Sequence, residues 1–292
     1  MRITSFTIFN QLTRSLQERM QRMSVFSERL SSGKIINKPS DDPYAIAQAM
    51  DYKVSINEIE QYKKNIDGAD GNLGLTDSIM SSVSTVLTRA RELAVQAATG
   101  TQTASNRAAI AEEIAKLRDE LLRLSGTKSG DRYIFSGLKT DTDPFNGVFA
   151  YMGDTSEMNV LVGRDSTVAV NVTGDEAFSY SGETYFETLD NLYNSLTSND
   201  VTGVRTSITL TDNALTQVSN VRADIGARMN YIADIKTMLE GRDTSLKISL
   251  SNTEDSDIAG TVSELSKIQV ALESLRASGA KVLSQSLLDF LR

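Results

Sequence analysis

Chemistry in this chain would have to come from carboxylates, hydroxyls and amines, because its 292 residues include neither histidine nor cysteine. An imidazole base, a thiolate nucleophile, a Cys-containing zinc site and a disulfide are all excluded. The acidic candidates fall into three groups. Asp41 and Asp42 are adjacent and precede Pro43, Asn252 to Asp257 spell NTEDSD, and Asp131, Asp141 and Asp143 punctuate a region rich in turn residues. An adjacent carboxylate pair could divide acid and base work, and an oxygen-rich hexapeptide could hold calcium. The spacing favours plainer roles. Asp42 before Pro43 is a helix N-cap followed by the residue best suited to the first helical position. NTEDSD lacks the glycine and distant glutamate of an EF-hand loop and reads as a junction between helices. Asp131, Asp141 and Asp143 sit in turn-like segments with no convergent pair. The expectation is therefore a protein that is not an enzyme and uses no cofactor or metal.

Two further motifs carry less than they suggest. DGADGNLG places Gly68, Gly71 and Gly74 three apart, which is not the GxGxxG of a nucleotide site, and no strand pattern precedes it. Close helix packing or a bend is the expectation there. Asn171-Val172-Thr173 matches a glycosylation sequon, a pattern too short to weigh.

The net charge is -8 and aromatic content is 6%, with no Trp and three Pro. An acidic chain is poorly suited to phosphate backbones, so no nucleic-acid partner is expected. The first forty residues run against this balance, with Arg2, Arg14, Arg19, Arg22, Arg29, Lys34 and Lys38 facing only Glu18 and Glu28. That excess suits the solvated side of an assembling helix better than a helix lying on a membrane. No stretch approaches the roughly 20 apolar residues of a membrane span, and no apolar run follows the first basic residues. Neither a membrane span nor a cleaved signal peptide is expected.

The elements that must position these groups are long helices. From Ser5 to Leu30, Phe9, Leu12, Leu16, Met23, Phe26 and Leu30 follow three- and four-residue steps interrupted only by Arg19. Such a stripe is a coiled-coil seam that needs a partner. Gly33 supplies a stop, and Asp41, Asp42 and Pro43 a restart. A second helix is predicted to about Ala98, then a turn over Gly100 to Thr103 and a third helix through Ile110, Ile114, Leu117, Leu121 and Leu124, antiparallel to the second. Between Gly130 and Gly182 the period becomes two. GVFAYMGD, MNVLVG and STVAVNVTG predict a small antiparallel β insert. Helices resume near Tyr185, run from about Val204 to Leu250, and end with Ile258 to about Leu291. There Leu265, Ile268, Leu272, Leu275 and Val282 repeat the narrow seam, with Gly279 on the same stripe where a neighbour could approach closely. The two ends are expected to pair with each other and with copies of themselves.

LSSGKIINKPSDDP (Leu30 to Pro43), RELAVQAATGT (Arg91 to Thr101), GDRYIFSG (Gly130 to Gly137) and SQSLLDFLR (Ser284 to Arg292) together resemble the flagellin superfamily. The resemblance spans roughly the first 140 and last 100 residues. GDRYIFSG followed by KTDTDPF, without an Asn-Arg-x-x-Phe-Asn-Gly hairpin, is similar to the branch that joins hook to filament. Ile35 stands where the family commonly has a basic residue, and Tyr44 where it has a small one.

The resemblance implies a mainly α fold, a long-helix bundle or coiled coil formed by both chain ends with a small antiparallel β insert and discontinuous domains. Residues 1–43 and 256–292 would form the terminal coiled-coil helices, 44–140 and 185–255 a helical bundle, and 141–184 a small outer β domain. Gly33, Asp41, Asp42 and Pro43 would be the connector between layers. Implied partners are copies of the chain in a ring-like helical zone, the preceding hook-associated protein, flagellin, and an export chaperone docking on Leu272, Leu275, Val282, Leu287, Leu288 and Leu291. The implied location is extracellular, in the flagellum, reached by type III secretion. A short flagellin that forms the filament itself is the alternative.

Overall fold

A computed structural model describes residues 5–147 and 149–290. Its helices are α1 (Ser5–Ser32), α2 (Pro43–Ala97), α3 (Ala104–Ser125), α4 (Gly174–Phe178), α5 (Tyr185–Thr197), α6 (Val201–Glu254) and α7 (Ile258–Phe290). The expected mainly helical fold, with long helices at both ends and small antiparallel sheets between, is what the chain adopts. Two compact units result, one of residues 1–58 with 242–292 and one of residues 59–241.

In the first unit α1 packs against α7. Lys34 bridges Asp255 in antiparallel fashion, and Leu12 meets the backbone of Gly279. Both points keep nearly the same sum of residue numbers, so the two segments run antiparallel. That register sets Leu16 level with Leu275 and Met23 level with Ile268.

The second unit is built on α2 beyond Ile59, α3, α5 and α6 up to Gly241. The predicted three- and four-residue spacing becomes burial: Leu73, Met80, Val83, Leu87, Ala90 and Ala94 of α2 are wholly inaccessible, as are Val218 and Ile225 of α6. Each large apolar side chain so buried stabilises the bundle by about 1.5–3 kcal/mol. Charged pairs fix the register of neighbouring helices. Asp67 meets Lys236 at 2.7 Å, Asp77 meets Arg222 at 2.8 Å, and Arg91 pairs with Asp212, so α2 and α6 are antiparallel. Arg89 to Glu113, at 2.8 Å, shows the same for α2 and α3. These pairs are partly exposed and individually weak, so they select register more than they add stability.

Helix starts follow the sequence signals. Thr103 caps α3 by accepting from the amide of Asn106. Thr184 and Glu187 form a reciprocal capping box at α5. At the α2–α3 turn, Arg107 is only 5% exposed. Its guanidinium donates to the carbonyls of Ala97 (2.9 Å) and Thr99 (3.1 Å) and to Oδ1 of Asn199 (2.6 Å). Carbonyls at the C-terminal end of α2 thus stand in for a carboxylate.

The antiparallel insert is divided into small pieces. It holds three separate two-stranded antiparallel pairs: β1 (Lys128–Ser129) with β2 (Arg132–Tyr133), β3 (Asn159–Gly163) with β4 (Ser166–Ala169), and β5 (Ser179–Tyr180) with β6 (Glu183–Thr184). Among the described residues of GVFAYMGD no strand of the insert forms, and Tyr151 makes only an isolated antiparallel bridge to Phe145. Phe149 turns into left-handed backbone at φ 61°, and the Asn146 side chain accepts from the amide of Ala150 at 3.0 Å. The aromatic alternation there serves a cluster rather than a pleat. Phe145 packs edge-on against Phe178 and Phe186, with ring centroids 5.7 and 4.9 Å away, and Phe149 stacks on Phe186 at 5.5 Å.

The glycine triplet lies within a helix. Helix α2 continues through Gly68, Gly71 and Gly74, and a Cβ added at any of them would meet nothing within 4 Å. Among the described residues no close packing explains them.

Candidate assembly surface and connector

The terminal seam residues form the largest candidate constellation in the sequence, and the two helices that carry them, α1 and α7, pack together. Ile268 and Leu272 are buried, while Leu12, Leu16, Met23, Phe26, Leu30, Leu265 and Leu275 are half-buried. Phe9 is 45% exposed. Val282, Leu287 and Leu288 fall where only the backbone of α7 is described, and Leu291 lies outside the described residues. Gly279 is a point of close approach. A Cβ placed on it would lie 2.5 Å from Leu12 Cδ2, so hydrogen at this position lets the helices close.

Two helices cannot cover a stripe on all sides. Beyond the half-covered seam, Met20 and Val25 of α1 and Val262 and Val270 of α7 are exposed by 42–66%. The pair therefore leaves apolar surface that further helices could bury. Among the described residues no helix is long and apolar enough to cross a membrane.

The connector after α1 is built by side chain to backbone bonds. Gly33 adopts φ +72°, a conformation that costs other residues energy, and its amide donates to Arg29 O at 2.8 Å. Ile36 is buried and pins the loop. The two aspartates divide their work. Asp41 Oδ2 accepts from the amides of Asn37 (3.1 Å) and Lys38 (3.0 Å), and these bonds hold its carboxyl below the usual carboxylate range. Asp42 Oδ1 accepts from the amides of Tyr44 (3.1 Å) and Ala45 (3.0 Å), so it caps α2 with Pro43 in the first turn, as its sequence context requires. Both carboxylates are committed to the backbone, which is poor preparation for proton transfer.

NTEDSD is a helix junction. Its first half completes α6, and Asp257 caps α7, accepting from the amide of Gly260 through Oδ1 at 3.1 Å. The residue that sequence reading missed is Glu254. Its carboxylate meets Lys34 at 2.7 Å and Lys53 at 2.5 Å. Burial raises its pKa, but the two lysines outweigh burial and hold it below the usual range. The available signal was an acidic residue closing a helix, where the dipole disfavours it. Asp131 and Asp141 lie in turns, and Asp143 accepts from the amide of Phe145 at 3.3 Å. The sequon is engaged as well: Asn171 accepts from the amide of Met158 at 2.7 Å and donates to Ser156 O at 3.3 Å.

Fold and site together define a class: a helical subunit whose two ends form an antiparallel seam with apolar surface left over for neighbours. Residues 3–140 match the bacterial flagellin N-terminal helical region and residues 208–291 the flagellin C-terminal helical region, well over half of the chain between them. The chain belongs to the flagellin family, whose members are structural components of the flagellum. Within that family it is similar to flagellar hook-associated protein 3 of Escherichia coli (strain K12), at 28% identity over 94% of each chain. The fold recurs in a solved flagellar protein from Vibrio parahaemolyticus, with a TM-score of 0.70 at 22% identity, covering 74% of this chain and 100% of that one. It recurs also in the flagellar junction protein FlgL from Legionella pneumophila, with a TM-score of 0.59 at 22% identity, covering 73% and 100%.

Proposed function

We propose that the chain is a structural subunit of the bacterial flagellar hook–filament junction, on which filament assembly depends. It mates the preceding hook-associated protein on one side with flagellin on the other. The observation that carries this reading is the terminal helix pair: α1 and α7 meet at Gly279 but leave their seam half covered and further apolar side chains exposed. Copies arranged in a ring-like helical zone bury that surface, at on the order of 1 kcal/mol for each half-exposed side chain covered. Phe9, Leu12, Leu16, Met23, Phe26 and Leu30, facing Leu265, Ile268, Leu272, Leu275 and Val282, carry the inner helical layer around a central channel. Residues 1–43 and 256–292 make up that layer, 44–140 and 185–255 the next, and 141–184 the outer surface. Gly33, Asp41, Asp42 and Pro43 let the chain turn from one layer into the other.

Likeness to a hook-associated protein 3 over 94% of both chains supports the junction above the short-flagellin alternative. The role is mechanical and needs no catalysis, since Asp41, Asp42, Glu254 and Asp257 are each spent on backbone amides or lysines. The protein acts outside the cell, as part of the flagellum. Before export, the apolar stripe of Leu272, Leu275, Val282, Leu287, Leu288 and Leu291 docks a chaperone.

Deleting the gene in its native host tests the function. Bare hooks with unpolymerised flagellin in the medium are expected. Bare hooks with no other flagellin secreted would identify this chain as the filament, and normal flagella would reject the flagellar role. Truncation after Ala271 is expected to abolish chaperone binding while the second unit stays folded, and retained affinity would reject that docking site.

A further inference from the structure

Glu254 occupies an unfavourable place for its charge. It is the last residue of α6, where unpaired carbonyls form the negative end of the helix dipole, and it is only 7% exposed. A buried carboxylate there destabilises the fold unless groups from elsewhere compensate it. They come from two other segments. Lys34, in the connector after α1, takes Oε1, and Lys53, on α2, takes Oε2. The main chain repeats the linkage: Ile35 N donates to Glu254 O at 2.7 Å, and Ser256 N donates to Gly33 O at 2.8 Å. Local preference is violated at one residue, and three chain segments meet on it.

We propose that Glu254 is a positioning residue that ties the break between α1 and α2 to the break between α6 and α7, so that the two open and close together. The α1–α7 contact alone cannot do this, because packing along a seam leaves each connector free to move by itself. With the clasp closed, the first turn of α7 and the connector after α1 share one opening equilibrium. The inference does not depend on the flagellar role.

Native-state hydrogen exchange on the full chain tests it, read at the amides of Ile35, Ser256 and Thr261. In Glu254→Gln, protection is expected to fall about tenfold at all three, while Leu121 and Leu192 in the second unit are unchanged. The double variant Lys34→Met with Lys53→Met alters side chains that are 39% and 45% exposed, so it provides a second test less prone to misfolding. It is expected to lower the same three amides by a similar factor. Adding Glu254→Gln to it should lower them by less than about twofold more, because the partners of that carboxylate are already gone. No loss in Glu254→Gln, loss at one break only, additive effects, or wild-type amides exchanging like an unstructured peptide would each overturn the proposal.

Discussion

Gly279 and Leu12 offer a quantitative test of the terminal pair. Replacing glycine by alanine within a helix ordinarily stabilises by about 1 kcal/mol, because the backbone loses less freedom on folding. Here the added Cβ would lie 2.5 Å from Leu12 Cδ2, but 3.5 Å from its Cγ and 3.7 Å from its Cδ1. Only the end of a flexible side chain must move, and a displaced rotamer costs about 0.5–1.5 kcal/mol. The two terms nearly cancel, so Gly279→Ala is expected to be close to neutral. Gly279→Val adds atoms that a small movement of Leu12 cannot clear, and about 1–3 kcal/mol of destabilisation is expected from overpacking. The decisive comparison is a double-mutant cycle. In a Leu12→Ala background the obstructing methyl group is gone, and Gly279→Ala should then recover its full benefit of about 1 kcal/mol. Opening free energies from amide exchange along α1 and α7 measure each corner of the cycle. If the effects of Gly279→Ala and Leu12→Ala add within about 0.3 kcal/mol, the helices do not approach at this point and the antiparallel register drawn from it is wrong.

The clasp at Glu254 should depend on pH. Its carboxyl is held below the ordinary value in the folded chain, so its stabilisation is present above the ordinary glutamate pKa of roughly 4.3 and is lost as pH falls through the depressed folded value. Lys34 is raised by its hydrogen bond to Glu254, so its share is present below roughly pH 10.4 and is lost as pH rises through the raised folded value. The Ile35 amide chemical shift should therefore stay constant between these limits and move at both ends; a midpoint near neutrality would contradict the assignment. Arg107→Lys keeps the charge but cannot reach Ala97 O, Thr99 O and Asn199 together, and about 1–3 kcal/mol should be lost in urea unfolding. Phe186→Ala removes a wholly buried ring that touches Phe145, Phe149 and Phe178 and should cost about 3–5 kcal/mol by the same assay. A loss below about 1 kcal/mol would show that the cluster does not support the insert. Thr184→Ala opens the capping box of α5 and should cost about 1 kcal/mol, checked by the same unfolding curves.

Much of this arrangement was legible because helices write their rules locally. Asp42 before Pro43 announced the start of α2, Gly33 the end of α1, and three- and four-residue spacing gave both the bundle core and the terminal seam. Gly279 was singled out for close approach from its place on the stripe alone. What failed to show in the sequence depends on distant partners or on backbone geometry. Nothing near Glu254 reveals that Lys34, 220 positions earlier, will neutralise it. The alternation of GVFAYMGD is genuine, but period two cannot distinguish a pleated strand from aromatic side chains sent into a cluster by a left-handed residue at Phe149. Glycine spacing is ambiguous for a related reason: three regular positions suit close packing or a bend, and among the described residues nothing comes within 4 Å of a Cβ added at any of them.

The clasp between residues 34 and 255 and the contact between 12 and 279 fix the terminal register through groups on the two ends alone. Chain length in between is therefore thermodynamically cheap to change. Doubling an already long intervening loop costs only about 0.6 kcal/mol in closure entropy, less than one buried methyl-bearing side chain contributes. Segments added or removed at the tight turn of Arg164 and Asp165 between β3 and β4 should leave the pairing of the ends intact. The same fold can thus carry an insert of widely varying size, and a foreign sequence grafted there would leave undisturbed the pairing that holds the two ends together.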